Sequence, residues 1–417
     1  MRAIDLRRMT VTMATAIVGL AMAAPGARAE TPDTGAALTE SHGALQRAFA
    51  CRGALRRAER TPVLLVHGTG SSPLESFSFG YAHALAGLGF PVCTVRLPGN
   101  GLVDMQRSIQ YVVHAIREAA RISQRKVSLI GHSQGALLAT YAPYFWPDLP
   151  AKVDDVIGLA GPHRGTTGAD AACAGGTCPV FTWQFRTKSK LGAAFRDKPR
   201  PTGPSFTAIA TAFDELVLPA PQAARLNGAS NVVIQDLCPA RPVEHFGVVA
   251  DAVAYALALD ALTHRGAVNP SRFNPATCLQ ALIPGADLAQ AAVIAPRAIA
   301  NAIARFAAAP VVGREPMLRC PFDVGDCPKP QVRLTRRCTS AGHLRMALAG
   351  DVEAVRDVDF KLDRRRVRRD VSEPFAGIVD ARVLRRARRA RLRAVVDLDR
   401  PRSARLILAR SLPRCGA

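Results

Sequence analysis

The run Lys126-Val-Ser-Leu-Ile-Gly-His-Ser-Gln-Gly-Ala-Leu-Leu-Ala-Thr-Tyr-Ala142 decides how this chain folds. Lys126–Ile130 reads as a short buried strand, and Ala136–Trp146 as an apolar helix. Between them stands Gly131-His132-Ser133-Gln134-Gly135. A strand that turns directly into a helix strains its central residue and needs small neighbours, and it lifts that residue's side chain clear of the sheet. Ser133 is therefore expected to be a nucleophile on a sharp elbow. A bare Gly-x-Ser-x-Gly arises by chance about once in several chains of this length, so its weight comes from lying between these two elements.

Outward from that point the same alternation repeats. Strands are expected at Pro62–Val66, Val92–Arg96, Val153–Leu159, Phe206–Thr211 and Asn231–Gln235, and helices at Phe79–Leu88, Met105–Ser123 and Val248–Leu262. Strands alternating with helices imply an α/β fold with a mostly parallel sheet, here over residues 48–318 after a polar lead-in at 30–47. Leu282–Ala309 is Ala-rich and apolar on most faces, with Pro284 and Pro296 in it, the composition of a helix that is buried or covers a greasy site. Beyond Gly313 the period changes to two. Leu344-Arg-Met-Ala-Leu, Val358-Asp-Phe-Lys-Leu and Leu392-Arg-Ala-Val-Val-Asp-Leu predict short half-buried strands, and a small sandwich-like β domain over residues 319–417.

A serine nucleophile needs a base, and the base needs a carboxylate, in the chain order serine, acid, histidine. Asp214, in Thr211-Ala-Phe-Asp-Glu-Leu-Val after an apolar strand, is the candidate acid, with Glu215 its local rival. His245, between a strand and a helix, is the candidate base. His264 reads as surface, His343 belongs to the β-rich tail, and His163 precedes any candidate acid and reads as a loop residue near the pocket. The oxyanion donors are expected from the residue after the nucleophile, Gln134, and from Thr69 in the loop Val66-His-Gly-Thr-Gly70. No Gly-Lys-Ser/Thr follows that loop, and no His/Asp/Glu cluster has metal spacing, so neither a phosphate-binding loop, a metal nor any other cofactor is expected.

At these residues the sequence resembles the Candida antarctica lipase B type of secreted α/β-hydrolase, from about Cys51 to about Cys320. Pro62–Gly70 resembles the family's strand and oxyanion loop, with Thr69 on the oxyanion threonine. Ser133-Gln134-Gly135 is similar to the elbow, Asp214–Val217 to the acid loop and Glu244–Gly247 to the histidine loop. The resemblance implies an α/β-hydrolase fold, disulfides Cys51–Cys93 and Cys238–Cys278, and an acyl-pocket role for Leu282–Ala309. Where the family's best-known member has Trp before the nucleophile this chain has His132, and neither the tail nor the loop between Cys173 and Cys178 has a counterpart there.

Charge and cysteine content speak to compartment. Arg2, Arg7 and Arg8 precede an uncharged apolar stretch, Met9–Ala24, and Ala27-Arg28-Ala29 follows as a small-x-small cleavage site. Residues 1–29 are thus expected to be an export signal, its apolar run shorter than the roughly 20 residues a membrane span requires. All ten cysteines lie after it, an even number that reads as five disulfides in an oxidising compartment. Cys173 and Cys178 suit a small stapled loop. Cys320, Cys327, Cys338 and Cys415 allow three pairings, of which Cys320–Cys327 with Cys338–Cys415 ties the first and last tail strands. The net charge of +22 is largely a property of residues 331–417, where 22 Arg and one Lys face ten acidic residues, a net of +13.

The expectation is a secreted serine carboxylester hydrolase of lipase type acting on acylglycerols or related esters, with no nucleic-acid partner. The alternatives are a short-chain esterase or polyesterase, or, from another class, a protein whose Arg-rich tail binds a lipid interface or an anionic cell surface.

Overall fold

The computed structural model describes residues 35–57, 59–322, 332–350, 352, 355–371, 374–386, 391–398, 405–413 and 415. The expected export signal and Cys327 lie outside the described residues. The chain before the tail forms β1 (Phe49–Arg52), β2 (Val63–Val66), β3 (Val92–Val95), β4 (Val127–His132), β5 (Val153–Leu159), β6 (Cys178–Pro179), β7 (Ser205–Ala210), β8 (Ser230–Val233) and β9 (Val311–Val312). Seven of these make one sheet in the order β1-β3-β2-β4-β5-β7-β8, all parallel except the edge strand β1. β6 and β9 pair with each other separately.

A parallel sheet needs helical crossovers, which cover both of its faces, so its strands are apolar along their length. Every residue of β2 and β4 is buried. The strand period of two then sorts them: Leu64, Val66, Leu129 and Val156 pack on one face against the helices Met105–Ser123 and Gln134–Phe145. Val63, Leu65, Ile130 and Ile157 pack on the other with Tyr81, Leu85 and the helix Ala252–Thr263. After β2 the chain lays β3 on one side and β4 on the other. That reversal falls between β2 and β4, and doubly wound sheets place their ligands outside the carboxyl ends of the strands at such a point. Thr69 follows β2 and Ser133 follows β4, so both lie at those ends.

Three sequence expectations change. β1 was not foreseen: it is only four residues long, and what registers it is the Cys51–Cys93 disulfide between directly paired residues. The strand expected to reach Gln235 stops at Val233, and Ile234–Leu237 closes into one helical turn. The long helix runs over Leu288–Ala307, capped by Asp287 and carrying Pro296 inside, and Ala302 is its one buried residue. It is not a core helix. Leu288, Val293, Ile299 and Ile303 all face solvent.

In the tail, β10 (Val332–Cys338), β11 (Leu344–Gly350) and β14 (Ala376–Val379) form one antiparallel sheet. β12 (Val355–Leu362), β13 (Arg365–Asp370), β15 (Arg391–Leu398) and β16 (Arg405–Ser411) form another, in the order β13-β12-β15-β16. Leu334, Leu344 and Met346 of the first share one core with Val358, Phe360, Leu392 and Val396 of the second. Disulfides join Cys173 to Cys178, Cys238 to Cys278, and Cys338 to Cys415.

The elbow helix sits so close to β2 that a Cβ on Gly135 would overlap the Val66 carbonyl oxygen. Gly135→Ala should therefore lower stability by about 1–3 kcal/mol, the usual range for overpacking. Urea denaturation of the purified variant measures it, and an unchanged midpoint would contradict this packing.

Candidate active site

Ser133 is held at φ +52°, ψ −120°, a conformation that costs a non-glycine residue about 1–3 kcal/mol and persists only where its surroundings fix it. Its N–H donates to the Leu159 carbonyl at the end of β5 at 2.9 Å, and its carbonyl accepts from the N–H groups of Ala136 and Leu137 at 3.0 and 3.3 Å. Glycine on either side is obligatory for room: a Cβ on Gly131 would overlap the Gly135 carbonyl. The side chain stands half-buried at the end of a fully buried strand.

The acid loop follows β7. Asp214 is buried, and its Oδ1 accepts from the N–H groups of Leu216 (3.0 Å) and Val217 (2.7 Å). The same carboxylate meets His245 Nδ1 at 3.0 and 2.9 Å through its two oxygens. An ionised carboxylate only accepts, so the imidazole proton lies on Nδ1 and the Nε2 lone pair is left free. Glu215, the rival acid, does something else: its Oε2 accepts the backbone N–H of His245 at 3.0 Å. On the opposite side of that residue, His132 Nε2 donates to the His245 carbonyl at 2.9 Å, and the two rings lie 5.0 Å apart between centroids. Thr211 Oγ1 donates to the Val243 carbonyl at 2.6 Å, which holds the start of the same loop.

The oxyanion candidates converge on Ser133 from two elements. A Cβ on Gly68 would come within 3.2 Å of the Ser133 Cβ, so the loop carrying Thr69 runs against the serine. Gln134 Nε2 donates to the Gly101 carbonyl at 3.0 Å, and the Gly101 backbone lies against Thr69. Thr69 Oγ1 is buried without a hydrogen-bond partner. Within the described residues no hydrogen bond takes the backbone N–H of Thr69 or of Gln134 either. Buried donors without partners are costly in a resting protein, and they are what an incoming oxygen atom would satisfy. Thr69, Ser133 and Gln134 are thus packed together, Asp214 and His245 are hydrogen-bonded to each other, and the contact of His132 with the His245 carbonyl joins the two groups.

Burial sets the electrostatics of the histidines around this site. Burial, with His245 beside it, pushes His132 down to about 3, and burial pushes His67 down to about 4. His67 donates from Nδ1 to the Gly68 carbonyl at 2.8 Å and accepts the Leu97 N–H on Nε2 at 3.0 Å, as a neutral imidazole does. His163, expected beside the pocket, is a satisfied interior residue: Nδ1 donates to the Ala224 carbonyl at 3.0 Å and Nε2 faces Thr140 Oγ1 at 3.2 Å. His264 is at the surface beside Asp260. Among the described residues no three His, Cys, Asp or Glu side chains gather at metal-ligand spacing.

Lipase B from Pseudozyma antarctica is 28% identical to this chain over 277 residues, covering 63% of the chain and 81% of the relative. The crystal structure of Aspergillus fumigatus lipase B superposes with a TM-score of 0.63 at 25% identity, covering 72% of this chain and 76% of that one. The chain is an α/β-hydrolase of the lipase type, a carboxylic ester hydrolase. A triacylglycerol lipase from Pseudarthrobacter phenanthrenivorans is 34% identical over 119 residues, 27% of this chain and 36% of the relative. No protein-family model matches.

As a lipase-type hydrolase the chain carries contacts that motif reading missed. The Leu288–Ala307 helix reaches the oxyanion loop through Arg305, whose Nη1 donates to the Gly70 carbonyl at 2.8 Å and pairs with Glu75 Oε2 at 2.7 Å. Asn301 Nδ2 also donates to Glu75, at 2.8 Å. These partners are more than 220 residues apart, so no local pattern announces them.

The buried histidines make stability sensitive to acid. Burial lowers His163 from 6.5 to about 4, so as the pH falls below 6.5 the unfolded chain takes up a proton that the folded chain refuses. Stability is full above that point and declines towards pH 4. The fall in unfolding free energy between pH 7 and 4.5 should be smaller in His163→Gln than in the parent, as measured by urea titration at both pH values.

Proposed function

We propose that the chain is a secreted serine hydrolase that cleaves acylglycerols or related esters, with Ser133 as nucleophile, His245 as general base, Asp214 as its orienting carboxylate, and Thr69 and Gln134 as oxyanion donors. The observation that carries this reading is the Asp214–His245 contact, which leaves Nε2 as the only basic atom of the ring, in a loop hydrogen-bonded to the residue preceding Ser133.

In this reading His245 Nε2 takes the Ser133 proton as Oγ attacks the ester carbonyl. The buried Asp214 carboxylate stabilises the imidazolium that forms, and the backbone amides of Thr69 and Gln134 receive the developing oxyanion. Each such donor is worth roughly 10²–10³ in rate. The imidazolium returns its proton to the leaving alcohol, and water releases the acyl group by the same sequence. Because the donors are buried and unpartnered beforehand, little reorganisation is needed when the charge develops.

Exposed apolar side chains support a water-insoluble ester. Phe213, Leu216 and Phe246 flank the acid and the base, and the long helix presents Leu288, Ile299 and Ile303 to solvent. Export rests on the N-terminal pattern and on the disulfides, and among the described residues no helix is long and apolar enough to cross a membrane.

Purified variants test the assignment with p-nitrophenyl butyrate. Ser133→Ala should lower turnover by about a million-fold and Asp214→Asn by about 10⁴. Unchanged hydrolysis by Ser133→Ala would overturn the reading. Tributyrin and triolein should both be hydrolysed by the parent enzyme. Cleavage of tributyrin alone would reassign it as a short-chain esterase, and preferential erosion of a polyester film as a polyesterase.

A further inference from the structure

We propose that His132 and Glu215 are a pair of positioning residues that hold the backbone of His245 from opposite sides and so aim its ring at Ser133. The inference rests on the assignment of His245 as base.

Residues 239–246 carry no helix or strand, so no ladder supplies partners for the backbone of His245. A buried residue in such a segment needs another source of hydrogen bonds, because an unpaired buried amide or carbonyl costs about 1–3 kcal/mol. Here both groups are taken by side chains. Glu215 Oε2 accepts the N–H at 3.0 Å, and His132 Nε2 donates to the carbonyl at 2.9 Å. The two partners are the immediate chain neighbours of the other two triad candidates, for Glu215 follows Asp214 and His132 precedes Ser133. Any shift of the nucleophile strand or of the acid loop is therefore passed directly to the base.

The chemistry of each group suits the task. A carbonyl only accepts, so His132 must carry its proton on Nε2, and it can do so as a neutral ring. The groups facing it are His245, Asp214 and His67. A cation at His132 would oppose the imidazolium formed on His245, and burial keeps His132 neutral at working pH. Glu215 brings a carboxylate to an N–H rather than to the ring, leaving ring orientation to Asp214 alone. Loss of either bond frees one end of His245, and misplacement of about 1 Å costs about 10²-fold in rate.

The test compares removal with conservative replacement in the full-length enzyme. His132→Phe and Glu215→Ala should each lower kcat for p-nitrophenyl butyrate by about 10- to 100-fold, with KM changed less than about threefold. His132→Gln and Glu215→Gln, which keep a donor and an acceptor, should recover most of that loss. Phosphonylation of Ser133 by a p-nitrophenyl phosphonate should slow in parallel in the two removal variants, while the final labelled fraction stays at that of the parent, which separates misplacement from misfolding. A loss of kcat confined to a smaller labelled fraction, equal losses in the Phe and Gln variants, or kcat within twofold of the parent in both removal variants would each overturn the inference. Full activity in His245→Ala would instead overturn the assignment of the base on which it stands.

Discussion

The turn at Ser133 is the constraint on which the rest of this structure depends. A strand that becomes a helix within one residue leaves no space for side chains on either side, and the close approach of Gly135 to the Val66 carbonyl locks the helix onto β2. That contact fixes more than the serine. It places the first amide of the helix, at Gln134, beside the loop that leaves β2, so nucleophile and oxyanion donors are set by one packing event. The strain at Ser133 is borne by the parallel ladder, since its own N–H is taken by the Leu159 carbonyl at the end of β5.

The acid and the base have no comparable scaffold. They stand on loops, and hydrogen bonds from side chains do for them what the sheet does for Ser133. Asp214 is held by two amides of its own turn, and His245 by contacts to its ring, its N–H and its carbonyl. Asp214 and His245 are buried, so each of their bonds is electrostatically stronger than in water and each loss more costly. Burial likewise keeps His67 and His132 neutral.

The parts legible in the sequence are those governed by local periodicity. β5 and the helix Met105–Ser123 fall where their apolar patterns place them, because a strand buried on both faces and an amphipathic helix each write their burial into consecutive residues. The elbow is legible for the same reason: glycine spacing and strained geometry are two views of one steric fact. The long helix misleads because alanine is compatible with burial and exposure alike. Its body-facing side turns out to carry Asn301 and Arg305 while isoleucines face outward. The grip of His132 on His245 spans 113 residues, and that of Arg305 on Gly70 spans 235. Such contacts depend on how loops meet in space, which composition does not encode.

The charge of the tail has a similar local explanation. Strands with one buried face must spend every second residue on solvent, and β10 and β11 do so with Arg333, Arg337 and Arg345 between Leu334, Leu344 and Met346. Across β12 and β13 the pattern brings in opposite charge: Arg366 pairs with Asp359 at 2.7 Å and Arg369 with Asp357 at 3.5 Å. In both pairs the carboxylate is largely buried and the arginine exposed, and both lie within one sheet, so they do not hold the two sheets together. What holds them is the apolar core between them, built around the fully buried Phe360, Leu344 and Leu392. The net charge therefore records which residue type fills the outer face of a small antiparallel fold, and the +13 of residues 331–417 needs no buried cation to account for it.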